Sequence, residues 1–163
     1  MTIPEILAID PGPQFSAYCW LNEAGLPLEF GKVTNERLRD ILPEMPDRLQ
    51  DCVCERVRSF GMPAGAELFE TCENVGRFQQ IAETNSLRWH WLTRGEVKVA
   101  LCGTARAKDA NIRQALLDRY GGKENAIGKK KTPGPLYGVT ADVWAALAVA
   151  VVWQDQQKAG IRE

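Results

Sequence analysis

A short apolar run near the amino terminus ends in a single carboxylate. Residues 6–9 are all apolar, Asp10 follows them, and Pro11-Gly12-Pro13 then breaks the pattern. Such a run predicts a buried strand that ends at Asp10. A charge in this position is costly unless a cation or hydrogen bonds compensate it. Asp10 is therefore either an aspartate that caps a tight turn or part of a site that binds a cation.

Glu55 is a second carboxylate in an apolar setting. Segment 51–57 is typical of a strand, and the two-residue period places Glu55 on one face with Val53 and Val57. We expect that face to be buried, so the charge of Glu55 also needs a partner. The alternative to a cation site is that Glu55 pairs with Arg56, with Arg58 or with a residue of a neighbouring strand.

Asp142 is the third carboxylate, and it opens the apolar stretch 143–152. This stretch predicts a buried helix, so Asp142 can also act as a first-turn acid that favours the helix dipole, with Thr140 as the cap. Three carboxylates at the polar edges of core elements are typical of a divalent-metal site for phosphoryl transfer. Together with Asp10 and Glu55, Asp142 therefore predicts a magnesium site.

The net charge of −1 argues against a nucleic-acid-binding protein, but the charge is unevenly distributed. Residues 1–87 carry a balance of −7, whereas residues 88–131 carry +7. This division indicates a face that docks a polyanion beside a site that attracts cations. The alternative is two solvated helix surfaces without a binding role.

The 163 residues, 45% of them hydrophobic, predict a single domain that spans 1–163 and has its own core. The longest apolar stretch, 143–153, is shorter than the roughly 20 residues that a membrane span requires. Five cysteines without C-x-x-C spacing indicate reduced, mostly buried thiols, and His90 has no partner at zinc-ligand spacing. The expected setting is cytoplasmic, with no membrane partner.

The order of the predicted elements indicates an α/β fold. Strand patterns cover 5–10, 15–21, 26–33, 51–57 and 87–92, and the first three are spaced as an antiparallel meander. Helical patterns cover 35–42, 66–82, 95–101, 108–120 and 140–156. In the second helix, the core candidates are Leu68, Phe69, Val75, Phe78 and Ile81.

Segment 121–138 is rich in glycine, proline and lysine, which predicts a mobile basic loop that cannot pack a core. The whole arrangement matches the ribonuclease H-like fold, in which helices flank a five-stranded mixed sheet.

With these motifs, the chain resembles the RuvC-type Holliday junction resolvases, and most closely a group found in phages and prophages. The resemblance is carried by Ile6 to Gly12, the strand around Glu55, Glu96 to Gly103, Ala107 to Arg113, and Asp142 to Ala148. It implies a homodimeric endonuclease of DNA recombination and repair, dependent on Mg²⁺ (with Mn²⁺ as a substitute). Such an enzyme nicks four-way DNA junctions symmetrically.

The resemblance also implies roles for individual residues. Asp10, Glu55 and Asp142 would be the catalytic metal ligands, and Lys98 would be a catalytic basic residue near the scissile phosphate. Phe60 would be the aromatic residue that pushes against bases at the crossover. The alternatives are a solvated surface lysine at 98 and a core or dimer-contact phenylalanine at 60.

Two positions depart from the family pattern. The family commonly has an acid or histidine three residues before the last aspartate, where this chain has Val139. A water or another acid, such as Asp109, could take that place. Family members also often place a lysine near position 109, whereas here Lys108 comes one residue earlier.

A DNA-binding surface is expected in the basic part of the chain. Lysines that contact backbone phosphates provide affinity with steep salt dependence and no reading of bases. The predicted DNA-binding residues, in addition to Phe60, are Arg106, Lys108, Arg113, Lys129, Lys130 and Lys131.

Other functions remain open from the sequence. One is a non-catalytic module that binds branched DNA, and another is a less selective nuclease of flaps or branched DNA. The turn Asp10-Pro11-Gly12 also resembles that of actin-like kinases, but the sequence has no second glycine-rich phosphate loop, so no nucleotide cofactor is expected.

Overall fold

A five-stranded mixed sheet lies at the centre of the fold in the computed structural model, which describes residues 3–162. The sheet strands are β1 (Ile6–Asp10), β2 (Phe15–Leu21), β3 (Pro27–Thr34), β4 (Asp51–Glu55) and β5 (Arg88–Leu92), and a separate hairpin is formed by β6 (Gly128–Lys129) and β7 (Thr132–Pro133). The helices are α1 (Asn35–Ile41), α2 (Ala66–Thr84), α3 (Arg94–Cys102), α4 (Asp109–Arg119), α5 (Lys123–Ile127) and α6 (Val143–Arg162). The predicted domain span of 1–163 also includes residues 1, 2 and 163, which lie outside the described residues.

The strand order is β3-β2-β1-β4-β5. β1, β2 and β3 pair antiparallel, as the hairpin spacing predicts, whereas β4 is parallel to both β1 and β5. Parallel neighbours need a crossover, and the chain provides one through α1 before β4 and another through α2 before β5. The prediction of a five-stranded mixed sheet flanked by helices is confirmed.

The two faces of the sheet pack against different helices. Ile6 and Ala8 face a core formed with α3, α4 and α6, and Leu7 and Ile9 face a core formed with α1 and α2. β1 is thus buried on both sides, which explains why its sequence is continuously apolar rather than alternating. Within residues 3–162, no helix combines the length and apolar character needed to cross a membrane.

An ionic cluster around the buried Asp51 joins the starts of β4 and β5. The carboxylate of Asp51 accepts two hydrogen bonds of 2.8 Å from Arg88, and Nε2 of His90 lies 2.7 Å from its Oδ1. Burial opposes the charge of Asp51, but these hydrogen bonds outweigh it and lower the pKa of the carboxyl group. The cluster therefore anchors the two strands whose far ends form one side of the site described below.

Some predicted boundaries and core positions are wrong. The fourth strand ends at Glu55 rather than at residue 57. Phe69 was expected in the core, yet it is 60% exposed, while Val75 and Phe78 on the same helix are buried. Because these two residues and Ala82 already cover the sheet, the side of α2 that carries Phe69 faces away from it.

The expectation that segment 121–138 cannot pack a core is also wrong. The segment contains α5 and the β6–β7 hairpin, and Ala126 and Leu136 are fully buried in the core on the α6 side. Gly128 has a φ of 67°, and a Cβ there would lie 2.4 Å from the carbonyl oxygen of Thr132. Glycine therefore allows the tight turn, and two apolar side chains are enough to attach the segment. Its mobility stays a prediction.

The cysteines mostly follow the expectation of buried thiols. Cys19, Cys52 and Cys54 are buried free thiols, Cys102 is partly buried, and Cys72 on α2 is exposed.

Replacing Asp51 with Asn should lower the free energy of unfolding by about 2 kcal/mol at pH 7, because hydrogen bonds to a buried charge are lost. The pKa of Asp51 is lowered by folding, so this stability is present above the unfolded pKa of about 3.9 and is lost as the pH falls through the folded pKa. Urea denaturation of the variant at pH 7 and pH 3 measures the effect. The exposed Asp47, changed to Asn, is the control, and an equal loss in both variants would contradict the role of the cluster.

Candidate functional site

Two carboxylates lie side by side at the carboxyl edge of the sheet. β1 and β4 are parallel, and the register that pairs Ile9 with Cys54 brings Asp10 next to Glu55. The alternation of side chains directs both toward the face covered by α6, because Ala8 and Val53, two residues earlier in each strand, lie in that core. Adjacent parallel strands thus bring together two acids that are distant in sequence.

The turn after Asp10 is fixed by its own hydrogen bonds. The Gly12 amide donates to Oγ of Ser16, Ser16 donates to Oδ1 of Asn35, and Asn35 donates back to the Gly12 carbonyl. A Cβ at residue 12 would lie 2.4 Å from the carbonyl oxygen of Phe15, so the turn requires glycine. Because the Gly12 amide is already used inside the chain, the turn offers little to a nucleotide phosphate.

Asp10 and Glu55 open into a small cavity that also receives acids from two helices. Asp142 lies immediately before α6, and Asp109 is the first residue of α4. The four carboxylates line one cavity of about 100 Å³ together with Arg94, and we call it the acidic cavity. Its remaining walls are formed by Val97, Ile112, Ala141, Trp144, Ala145 and Ala148.

The crowding of negative charge is strongest at Asp10. The pKa of this carboxyl is raised from 3.8 to about 8, mainly by burial and also by the charges of Glu55 and Asp142, while the positive charge of Arg94 opposes the shift. Ionised Asp10 is therefore unfavourable in the metal-free chain, and a bound cation would relieve this cost.

Two cations of the chain itself contact the site, and the sequence reasoning missed both. Nη1 of Arg94 lies 3.4 Å from Oε1 of Glu55, and its other terminal nitrogen donates to Asp109. Nζ of Lys32 donates to Oδ2 of Asp142 at 2.6 Å. The sequence does contain a signal for Arg94, because this residue comes just after the strand that pairs with the Glu55 strand. Nothing in the sequence links Lys32 to Asp142, which lies 110 positions away.

The donor set suits a hard divalent cation. Carboxylate oxygens are the ligands that Mg²⁺ prefers, and a few of them suffice because the ion keeps several waters. In the described part of the chain, however, no three His, Cys, Asp or Glu side chains lie at the mutual spacing needed to hold a metal ion. The residue types and the location fit a metal, but Glu55 and Asp142 are paired with the chain's own cations.

Val139 does not contribute a ligand. Its side chain is 7% exposed and packs in the core beside α6. Asp109, the acid that could replace it, lines the acidic cavity with a side chain that is 76% exposed and hydrogen-bonded to Arg94.

Lys98 and Phe60 lie outside the acidic cavity. Lys98 is a half-buried residue of α3, and the cavity's lining residues from that helix are Arg94 and Val97. Phe60 is 76% exposed in the loop between β4 and α2, where it adopts a positive φ of 53°.

The predicted basic DNA-binding residues are exposed, and they lie on the elements of the α6 side. The guanidinium of Arg113, on α4, stacks over Trp144, a wall of the acidic cavity, at 5.0 Å from the ring centroid. Arg106 and Lys108 lie in the loop that leads into α4. Lys129 is in β6, and Lys130 and Lys131 form the turn of the β6–β7 hairpin.

Replacing Asp10 with Asn should stabilise the metal-free protein at pH 8 and change its stability little near pH 4. The folded pKa of Asp10 is raised, so its contribution to stability is full below about pH 4 and falls as the pH rises towards 8. Asn cannot ionise, so the variant does not lose this stability as the pH rises. We expect its melting temperature to be a few degrees higher at pH 8, since 1 kcal/mol corresponds to about 2–4 °C. Thermal melts in chelator across this range measure it, with the exposed Asp40 changed to Asn as control. A difference independent of pH would contradict the assignment.

Two solved structures from Thermus thermophilus are similar to this chain. One is described as a RuvC structure, with a TM-score of 0.73 and 15% identity, and the other as RuvC in complex with a Holliday junction substrate, with a TM-score of 0.76 and 16% identity. Each match covers 96% of this chain and 96% of the other. No protein-family model and no curated protein matches the sequence. The chain therefore has the RuvC form of the ribonuclease H-like fold.

Proposed function

We propose that this protein is a structure-specific endonuclease that resolves four-way DNA junctions by divalent-metal-dependent hydrolysis. It would act as a homodimer in the cytoplasm and cut the two strands symmetrically. The observation that carries the proposal is the acidic cavity, where carboxylates from β1, β4, α4 and the start of α6 meet at one sheet edge. A chain of the same fold is bound to a Holliday junction in one similar structure, which supports four-way DNA as the substrate.

Asp10, Glu55 and Asp142 would hold Mg²⁺, for which Mn²⁺ can substitute, and Asp109 or a water would take the place that Val139 leaves. Bound there, the metal would activate a water and neutralise charge at the departing oxygen of the phosphodiester. The apolar walls formed by Val97, Ile112 and Trp144 would limit the access of other waters.

Basic side chains around the acidic cavity would position the DNA backbone. Arg113 stacks over Trp144, a wall of the cavity, and Lys108 and Arg106 would extend the same surface. Lys98 would lie near the scissile phosphate. Because such contacts do not read bases, selection of a junction would depend on its shape.

Exposed apolar side chains support a role for the region around the start of α2. Phe60, Met62 and Phe69 are 76%, 71% and 60% exposed. Phe60 would push against bases at the crossover, and the others would contact a second copy of the chain. Two active sites in one dimer would then straddle the branch point, which symmetric cutting requires.

A non-catalytic module that binds branched DNA is the second candidate. It is favoured by the ion pairs of Glu55 and Asp142 with Arg94 and Lys32, and by the buried Val139 at a position where the related family carries a ligand. Binding of a four-way junction by the wild-type protein without cutting in Mg²⁺ or Mn²⁺ would support this candidate. Equal cutting of linear duplex and junction would instead indicate a less selective nuclease.

Replacing Asp10 with Asn should reduce the cutting of a labelled four-way junction in Mg²⁺ by at least about 100-fold. A metal supplies several kcal/mol of charge stabilisation, and about 1.4 kcal/mol corresponds to a factor of ten. Binding of the junction in Ca²⁺, measured by gel shift, should stay close to that of the parent, since Asp10 is not a DNA contact.

The exposed Asp40, changed to Asn, is the matched control, because it removes one carboxylate from α1 on the opposite face of the sheet. Cutting by the Asp10 variant at the parental rate would refute the metal site. Loss of both cutting and binding would indicate that Asp10 shapes the DNA-binding surface instead.

Replacing Lys129, Lys130 and Lys131 with Gln should weaken junction binding at moderate salt. Each phosphate contact contributes about 0.9 to the slope of log K against log salt concentration, so loss of the three contacts should reduce the slope by up to about 3. Binding isotherms at several salt concentrations measure this change.

The control removes the same charge from the opposite face, with Arg37, Arg39 and Arg77 of α1 and α2 changed to Gln. An unchanged slope in the lysine variant, or an equal change in both variants, would contradict the DNA-binding role of the hairpin.

A further inference from the structure

Arg94 and Lys32 approach the acidic cavity from opposite sides. Arg94 lies between Glu55 and Asp109, and Lys32 is bonded to Asp142, so three of the four carboxylates are in contact with a positive charge. Of the four carboxylates, only Asp10 has neither cation within hydrogen-bonding distance in the described structure.

Local backbone structure sets the positions from which the side chains of Arg94 and Lys32 extend. Arg94 is the first residue of α3, held by a capping box in which Thr93 and Glu96 exchange hydrogen bonds of 2.7 and 3.1 Å. Lys32 lies in register with Ala17, which in turn lies in register with Asp10. The short side chain of Ala17 lets the lysine extend over it to Asp142.

The two contacts of Arg94 differ in a way that favours exchange. Its Nη1 contact with Glu55 is 3.4 Å, near the long limit for a hydrogen bond, whereas its other terminal nitrogen donates separately to Asp109. Asp109 is largely exposed and Glu55 is largely buried. Arg94 can therefore release Glu55 while Asp109 still holds the guanidinium at the mouth of the acidic cavity.

We propose that Arg94 and Lys32 are exchangeable counter-ions, which pair with Glu55 and Asp142 in the metal-free chain and turn to DNA phosphate when a divalent cation takes those carboxylates. This inference rests on the proposed function and deepens it. A planar guanidinium forms bidentate contacts with phosphate as well as with carboxylate, so Arg94 exchanges the Glu55 carboxylate for a DNA phosphate of similar geometry. Lys32 does the same as a point charge.

The exchange makes metal and DNA binding cooperative. A metal that occupies the acidic cavity releases two positive charges for the backbone, and a backbone that engages these charges releases two carboxylates for the metal. Such coupling is reciprocal, so each ligand raises the affinity for the other by the same factor.

The deciding experiment compares Arg94→Gln with Arg119→Gln. Arg119 is paired with Asp155, with Nη1 2.7 Å from Oδ2, and it lies at the opposite ends of α4 and α6 from the acidic cavity. The control therefore removes the same charge from a similar Arg–Asp pair outside the site. Calorimetric titration of Ca²⁺ into the DNA-free proteins, and gel shifts with a junction in saturating Ca²⁺, supply the two readouts.

We expect Arg94→Gln to bind Ca²⁺ about 3- to 10-fold more tightly without DNA, because a competing partner of the largely buried Glu55 carboxylate is removed. The same variant should bind the junction more weakly in Ca²⁺, and Arg94→Lys should restore both properties in part. Lys32→Gln should shift both in the same directions by less, since its ion pair is more exposed. Arg119→Gln should behave as the parent in both assays.

Unchanged or weaker Ca²⁺ binding by Arg94→Gln, in a parent that binds metal and cuts junctions, would overturn the exchange and leave the proposed function intact. Tighter Ca²⁺ binding with unaltered junction binding would also overturn it, because the cation would then compete with metal without passing to phosphate. A parent that binds neither Ca²⁺ nor Mn²⁺ would overturn the proposed function and this inference together.

Discussion

The parallel pairing of β1 with β4 is the constraint on which the site depends. It places Asp10 beside Glu55 at the carboxyl edge of the sheet, where burial and the repulsion from Glu55 oppose the charge of Asp10. Arg94 and Lys32 compensate part of that repulsion. The sheet itself can hold the pair together because both strands are buried and because the Asp51 cluster secures the far end of β4.

The compensation comes from both sides of the pair. On one side, strand pairing places Ala17 beside Asp10 and Lys32 beside Ala17, so only the small Ala17 separates the lysine from Asp10. On the other side, β5 runs directly into α3 and places Arg94 beside Glu55. Burial alone would lower the pKa of Arg94, but the carboxylates of Glu55 and Asp109 outweigh it and raise that pKa. The acidic cavity is therefore a network of both signs rather than a cluster of acids.

The sequence was sufficient for the sheet and for the convergence of three acids, because both follow from local patterns and from the rule that parallel strands end at one edge. It was insufficient for Lys32 and Arg94, since their contacts depend on register between strands and on side-chain direction. Composition also led to the wrong prediction that segment 121–138 cannot pack a core. The segment is rich in glycine, proline and lysine, but its Ala126 and Leu136 are buried in the core. The roles assigned to Lys98 and Phe60 stay predictions.

The unfavourable ionisation of Asp10 also bears on whether the protein is an enzyme or a non-catalytic DNA-binding module. Carboxylates crowded into a partly buried cavity destabilise the chain at neutral pH, and they repel the phosphates that a DNA-binding surface must attract. A module that only bound branched DNA would gain nothing from them, and Arg94 and Lys32 would serve it better if they faced the backbone directly. In the proposed exchange, a divalent cation would change both effects, because it would offset the repulsion among the acids and free the two basic side chains to face phosphate. The arrangement that is unfavourable in the isolated chain would then be favourable with metal and DNA bound together, which supports the proposal of a nuclease.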